Sequence, residues 1–456
     1  MSSPSQSVSP HSPKKPTGGF REVFILAIPV MLSHLSEALM GVVDSAMVGR
    51  LGATELAAVG FATVWLWTVF SLLLGTATGV QTFVSQFDSS GDTSQCGTWT
   101  WQGFYAVFPL GVLLTVVIVW LTAPALALLG PSAELQAVAA EYVYTRILGE
   151  LGYVVLLVHM SFFRGLEDMR TPLYVVVFAV VENAILDYLL IFGKFGFPEL
   201  GVAGAGIATS ISTWSGAAIL FVLFRRRSIS QRYHTRMVAP DLAKIRRFLW
   251  TSAPIGGQWC IGMASFAIFN TLVARMGDEA MAVSQAFTML MSLSFMQAIG
   301  ISIASATLVG RYIGAGAPEA AMESYRSAMK LAMCLAFLIA ILFLSIPDTL
   351  MRLFTDDPEL VAMGRPLLML GAFYQFLDAA YLVAEGSLRG AGDTRWAFVV
   401  ELTLGWGLLV PAAYLLGVVL EGGLMGAWYG GTIHVVVLSF AFIWRFRSRA
   451  WQKIRI

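Results

Sequence analysis

Residues 41–52 read GVVDSAMVGRLG, and they place the carboxylate of Asp44 inside an apolar stretch, 23–48, that is long enough to cross a bilayer. An ionised side chain in hydrocarbon costs at least about 2.5–3.5 kcal/mol on insertion scales, so it is expected to face a protein interior or an aqueous cavity and to serve transport. Seven residues earlier lies Glu37, which seven helical steps bring back to nearly the same face, and His34 leans toward that side as well.

Composition sets the surroundings of that helix. The chain has 456 residues, 57% of them hydrophobic and only 12% charged, with mean hydropathy +0.73. Charge that sparse cannot coat a water-soluble protein of this length, which makes this an integral membrane protein. Apolar runs of spanning length recur twelve times, over about 23–48, 57–85, 101–128, 137–162, 172–193, 201–225, 248–274, 281–310, 327–354, 362–386, 396–418 and 423–445. The predicted fold class is therefore all-α, with twelve transmembrane helices.

Residues 1–20 are Ser/Pro-rich and lack an apolar core, so they are expected to form a flexible cytoplasmic tail and no cleavable signal peptide. Basic residues crowd the N-terminal tail and the segments 164–170, 225–247, 311–330, 389–395 and 445–455. The opposite face holds only Arg50, Lys194, Arg275, Arg352 and Arg365, with Arg146 left inside the fourth span. By the positive-inside rule both termini are expected in the cytoplasm of a multi-pass cell (inner) membrane protein. One loop departs from the rule, because 86–100 carries Asp88 and Asp92 without a base.

A shift of 225 residues superimposes the chain on itself. Pro29 meets Pro254, Arg50 meets Arg275, Gly75 meets Gly300, Thr82 meets Thr307, Arg164-Gly165 meets Arg389-Gly390, and Asp168 meets Asp393. Six helices per copy bring both copies in from one side, which predicts two six-helix bundles related by a pseudo-two-fold axis along the membrane normal. The expected divisions are a tail 1–20, a first bundle 21–225, a cytoplasmic linker 226–247, a second bundle 248–446 and a tail 447–456. Paired bundles of this kind are the common plan of alternating-access transporters.

Residues needed only for folding should recur in both copies, so breaks in the repeat mark candidate function. Asp44 faces Phe269, Asn183 faces Leu408, and Asp187 faces Ala412, while Asp378 faces Tyr153 and Glu385 faces Met160. Asn183 and Asp187 lie four apart in VENAILDYLLIFG and share a helix face; with Asp44, and with Glu37 nearby, they make the first candidate site. Buried carboxylates set side by side resist double ionisation, so such a pair can take up a proton on one side and release it on the other. In the second bundle Tyr374 and Asp378 share a face, and Glu385 follows seven residues later. That set suits a proton, a substrate or a sodium ion at Asp378, and spacing does not choose among them. Glu385 also precedes Arg389 by four, the spacing of an intrahelical ion pair. Glu150, Glu401 and His159 are lone polar residues within spans, and Pro29, Pro254 and Pro411 are expected to kink theirs.

VDSAMVGRLG after a Pro-bearing first helix, SLRGAGDTR with its counterpart FRGLEDMRT, the NAILD of the fifth helix and the duplicated plan together resemble the multidrug and toxic compound extrusion (MATE) family over about residues 21–447. The resemblance implies a secondary antiporter that exports cationic or amphipathic drugs, toxins or metabolites in exchange for protons or sodium ions. It also carries the family's helix-1 aspartate onto Asp44, its helix-5 pair onto Asn183 and Asp187, and the helix-10 aspartate of the NorM-like branch onto Asp378, with Tyr374 before it. The seventh span, IGMASFAIF, has no acid where the NorM-like branch has a glutamate, so the chain looks more similar to the DinF-like branch, with the proton ahead of sodium. The alternatives are a sodium-driven exporter and a flippase for lipid-linked precursors from the same superfamily. An anionic diphosphate cargo would want basic groups along the cavity, whereas the intramembrane charges here are mainly acidic.

No HExxH, no metal-ligand spacing and no nucleophile with its base points to an enzyme, and no cofactor is expected. Cys96, Cys260 and Cys334 are scattered, and a net charge of +1 gives nucleic acid no purchase. The expected partners are the lipid bilayer and small organic substrates, with the chain acting as a monomer.

Overall fold

A computed structural model describes residues 18–129 and 132–454; the expected tail over 1–20 lies outside the described residues as far as 17. Among the described residues there is no strand. In lipid every backbone N–H and C=O must be satisfied within its own segment, and the apolar runs accordingly form helices. Among the described residues twelve are long and apolar enough to span a bilayer: α1 (Phe20–Val48), α2 (Ala53–Ser90), α3 (Ser94–Ala127), α4 (Ala133–Gly165), α5 (Arg170–Phe192), α6 (Gly201–Arg225), α7 (Leu242–Ala274), α8 (Asp278–Gly314), α9 (Pro318–Ser345), α10 (Pro358–Gly390), α11 (Thr394–Val419) and α12 (Gly423–Arg447). They form two six-helix bundles related by a pseudo-two-fold axis.

Several helices outrun their apolar runs. α2 continues in amphipathic form to Ser90, so the segment expected as a loop over 86–100 contracts to 91–93, closed by Gly91 at φ +90°. α7 begins at Leu242, where the Asp241 side chain accepts from the N–H groups of Ala243 (3.0 Å) and Lys244 (3.2 Å). Helices continue through Pro29 and Pro254, while Pro411 lies between two π-helical turns, Gly405–Leu409 and Leu415–Val419. Wider turns of that kind absorb a missing N–H without ending the helix.

The stretch between α6 and α7 is strapped to α3. Trp101 Nε1 donates to the Thr235 carbonyl (3.1 Å), Gln102 Nε2 to that of Ala239 (2.9 Å) and Tyr105 Oη to that of Val238 (2.8 Å). After α12 the chain turns back, burying Trp451 against Phe446 at 5.2 Å between rings.

The opening helix of each half packs on its own half and also reaches into the core of the other. Val23, Leu26, Ala27 and Val30 of α1 are buried in one core with Ile301, Leu308 and Tyr325 of the second half, and Phe248 of α7 is buried in the first-half core against Phe83. α2 and α7 cross backbone on backbone: a Cβ on Gly256 would fall on the Leu72 carbonyl oxygen, and one on Gly75 would fall on Gly256.

Next to these crossings runs a seam of polar contacts between halves. Thr82 Oγ1 donates to the Arg389 carbonyl (3.0 Å), and Thr307 Oγ1 donates to the Arg164 carbonyl (3.1 Å). The two donors, Thr82 and Thr307, and the two acceptors, Arg164 and Arg389, are repeat counterparts, so the bonds are one contact made twice about the two-fold axis. Gln81 Nε2 adds bonds to Thr307 Oγ1 (2.7 Å) and the Ile303 carbonyl (3.0 Å), and Gln86 Nε2 adds one to the Gly390 carbonyl (2.9 Å). At the margin Arg311 reaches Glu22 and Glu167, and Glu22 accepts from Tyr312 Oη at 2.6 Å. All these residues lie toward the end of the molecule where α1 begins and α12 finishes. Toward the other end α1 and α2 present exposed side chains, with Leu39, Val42 and Val64 at 55%, 65% and 63%.

Candidate functional site

Asp44 sits one turn before the end of α1, and Asp187 sits at a similar depth near the end of α5, which packs on α1 and runs in the same direction. Asp44 thus lies near the C-terminal end of α1 and away from mid-helix. The two carboxyls are within hydrogen-bonding reach of each other. Asp187 and Asn183 have no exposed surface. Asn183 Nδ2 donates to Thr209 Oγ1 (3.4 Å), and that hydroxyl donates in turn to the Ala205 carbonyl (2.9 Å), fixing the amide against α6.

What remains is a knot of acceptors. Among the described residues no donor reaches Asp44 Oδ1, either oxygen of Asp187, or Asn183 Oδ1. Buried oxygens left in that condition are costly unless a proton or cation comes among them. Two buried carboxyls this close resist being ionised together.

Glu37 does not join this knot. Seven helical residues share a face but are separated by about 10 Å along the axis, and Glu37 instead pairs with His34 Nδ1 at 3.1 Å. Glu182 accepts from Ser215 Oγ at 3.0 Å. Two residues that the sequence left without a role belong to the neighbourhood: Arg146 and Glu150 of α4 form an ion pair at 2.9 Å beside Tyr142, whose hydroxyl accepts from Thr63 Oγ1 at 3.4 Å.

The second-bundle candidates separate. Glu385 pairs with Arg389 at 3.4 Å, the ion pair that its spacing allowed, and accepts from Ser302 Oγ at 3.4 Å. Tyr374 meets Trp428 edge-on at 6.4 Å, one turn from Asp378. Glu401 of α11, also passed over in the sequence, is buried and accepts from Tyr381 Oη at 3.0 Å. A repeat comparison carries a signal for these omissions, since Glu401 faces Val176, Arg146 faces Gly371 and Glu150 faces Gln375. His159 is satisfied by the Val155 carbonyl at 2.8 Å and ringed by Phe221 and Phe224.

Among the described residues, no cluster of His, Cys, Asp and Glu has the geometry of a metal site. Aromatic rings bridge the halves where α2 crosses α7: Trp67 stacks on Trp259 at 6.4 Å and tilts against Tyr153 at 6.4 Å.

Comparison with known proteins agrees with this architecture. The MatE family model matches residues 29–189 and again 254–415, two copies in the register of the internal repeat. The chain is 30% identical to the probable multidrug resistance protein NorM of Thermotoga maritima over 437 residues, covering 95% of this chain and 93% of the relative. It is also 30% identical to the multidrug resistance protein MdtK of Yersinia enterocolitica over 447 residues, covering 95% and 96%. A crystal structure of MATE in the straight conformation superimposes with a TM-score of 0.87 at 20% identity, over 95% of this chain and 97% of that one. Relatives named NorM and MdtK give no support to the expected nearness to the DinF-like branch.

Proposed function

We propose, from the premise that this chain belongs to the MatE family, that it is a multidrug efflux transporter exchanging organic cations or amphipathic compounds for protons across the cell inner membrane. The observation that carries the proton reading is the contact between the Asp44 and Asp187 carboxyls, buried among acceptors that no donor satisfies. A proton shared by that pair balances it. When a cationic substrate enters from the opposite leaflet and favours the ionised pair, linkage requires that the proton leave and that protons compete with substrate. The Trp67, Trp259 and Tyr153 rings supply faces suited to flat or cationic organic molecules.

The bundles 21–225 and 248–446 rock against each other across the seam, tethered through 226–247, with both termini in the cytoplasm. The chain works as a monomer, without a cofactor and without catalysis. Sodium coupling through the second bundle is disfavoured by the ion pair that occupies Glu385 and by the lack of an acid in the middle of α7.

The test is export of a fluorescent cation from proteoliposomes under a proton gradient or a sodium gradient imposed separately. Asp44→Asn keeps size and removes the titrating group, so the folded variant should lose proton-driven export. Retention of proton-coupled export by a thermally stable Asp44→Asn protein would overturn the proposal.

A further inference from the structure

Along the first turns of α7 runs a groove of about 430 Å³, lined by Leu242, Ile245, Arg246, Leu249 and Trp250. Those positions recur every three or four residues and so make one face of the helix. Leu242 and Trp250 are 80% and 65% exposed, whereas Phe248 is buried in the first-half core and Arg247 lies over the Trp99 ring of α3 at 5.9 Å. The grooved face is thus turned away from the protein. It straddles the start of the apolar run of α7, which sets Arg246 at the level of lipid headgroups and Leu249 and Trp250 on the acyl side.

α11 brings a second guanidinium to the same place. Thr394 Oγ1 donates to the Thr251 carbonyl and pins the start of α11 on α7. The next residue, Arg395, lays its guanidinium over the Trp250 ring, with Cζ 3.3 Å from the centroid, and donates from Nε to the Trp250 carbonyl at 3.4 Å. Among the described residues neither Arg395 nor Arg246 forms an ion pair, and both are exposed. The nearby acids are engaged elsewhere: Asp241 caps the N–H groups of Ala243 and Lys244, and Asp393 is held by Arg445 at 2.7 Å.

The other copy of the repeat has the same arrangement where α1 packs on α5. Arg246 and Arg395 meet Arg21 and Arg170, while Ile245, Leu249 and Trp250 meet Phe20, Phe24 and Ile25. Phe20 and Phe24 stack at 6.2 Å, all three apolar residues are exposed, and both arginines are exposed without an ion pair among the described residues. Glu22 is taken by Arg311 and Tyr312, and Asp168 by Thr171. Two arginines over an exposed apolar strip therefore occur in both halves, although no carboxylate of the protein answers them.

We propose that the corner between α7 and α11 binds an anionic phospholipid, its phosphate between Arg246 and Arg395 and its acyl chains along Leu249 and Trp250, and that the corner between α1 and α5 is a weaker copy without the indole. The two ends of the site match the two ends of that molecule. A free phosphate ion makes no use of the apolar strip, and a zwitterionic lipid brings its own ammonium group against the arginines. Membrane orientation needs only positive charge, which lysine supplies equally; a guanidinium stacked on indole and bonded to a carbonyl offers a planar two-point donor, which lysine does not. The bound lipid braces α7, which reaches the first-half core through Phe248, against α11 of the second half.

The experiment uses the full chain, with retained lipid counted by native mass spectrometry and thermal stability titrated with phosphatidylglycerol or phosphatidylcholine. The native protein should hold phosphatidylglycerol at one strong and one weaker site, at least about tenfold more tightly than phosphatidylcholine. R246K/R395K keeps the charge and should lose the strong site, with about a tenfold fall in affinity, and R21K/R170K should lose only the weaker one. W250L keeps both arginines and removes the ring beneath Arg395; it should weaken the strong site as well, and it serves if the lysine pair folds poorly. Equal retention of the two lipids by the native protein, or native phosphatidylglycerol affinity in folded R246K/R395K or W250L, would overturn the proposal. Displacement of the lipid by excess inorganic phosphate would mark a plain anion site and overturn it too.

Discussion

Thr82→Val together with Thr307→Val removes both hydroxyls of the two-fold seam while keeping the branched shape of each side chain. Each bond contributes about 1 kcal/mol net, and the Arg389 and Arg164 carbonyls keep the backbone N–H groups of Gly392 (3.0 Å) and Glu167 (3.1 Å). The pair should cost the closed arrangement of the terminal face about 2 kcal/mol, which is roughly thirty-fold in the closed-to-open ratio. The halves differ in one respect. Thr307 also accepts from Gln81 Nε2 at 2.7 Å, although that amide keeps the Ile303 carbonyl at 3.0 Å, so Thr307→Val should weigh more than Thr82→Val. Both bonds must break in one movement, so their effects should add on a single equilibrium. The assay is pulsed electron-spin distance measurement between labels on α2 and α10 at this face, with thiol reactivity of Ser89→Cys as a second readout. A folded double variant with the native distance distribution and native reactivity would refute the view that these bonds hold the face shut.

Gly256→Ala sets a methyl on the Leu72 carbonyl where backbone meets backbone; it should cost about 1–3 kcal/mol, measured as thermal stability against Gly262→Ala, which has nothing within 4 Å. Asp378→Asn should change substrate range and leave part of the proton-driven export intact, measured by transport of a panel of fluorescent cations. Burial pushes the Glu167 carboxyl up, against the pull of Arg311, in the closed face. A solvated, opened face returns it toward the ordinary value near about 4.3, so the closed form binds the proton more tightly. Acidification through that window should favour closure, and the same spin distances recorded against pH, with Glu167→Gln as the pH-insensitive control, would show it.

The fold was legible because a bilayer leaves a chain few choices: apolar runs of sufficient length must be helices, and a 225-residue repeat fixes how they are grouped. Helix ends were less legible, because hydropathy reports where lipid stops and not where the hydrogen-bond ladder does; α2 runs on to Ser90 with polar residues on one face. The Asp44, Asn183 and Asp187 cluster could be read from asymmetry between the copies. Glu37 was drawn toward it by shared helical phase, which ignores distance along the axis. Arg146, Glu150 and Glu401 carried the same asymmetry, but a lone charge in an apolar run does not reveal which neighbouring helix answers it. At Arg164 and Arg389 it is the backbone that serves the seam, their carbonyls receiving the seam threonines, a role that does not itself require arginine.

The crosswise seam also bears on ancestry and assembly. Each half offers one hydroxyl donor and one carbonyl acceptor, and neither bond can be closed within its own half. This is the pattern of an isologous interface between identical subunits. The fused chain therefore preserves the geometry of a homodimer, and the segment joining its halves, bound by Trp101, Gln102 and Tyr105 to α3 and not to the seam, acts mainly by raising the effective concentration of one subunit near the other. Two separately encoded six-helix polypeptides, divided after Tyr233, should find each other in the membrane and close through the same four residues.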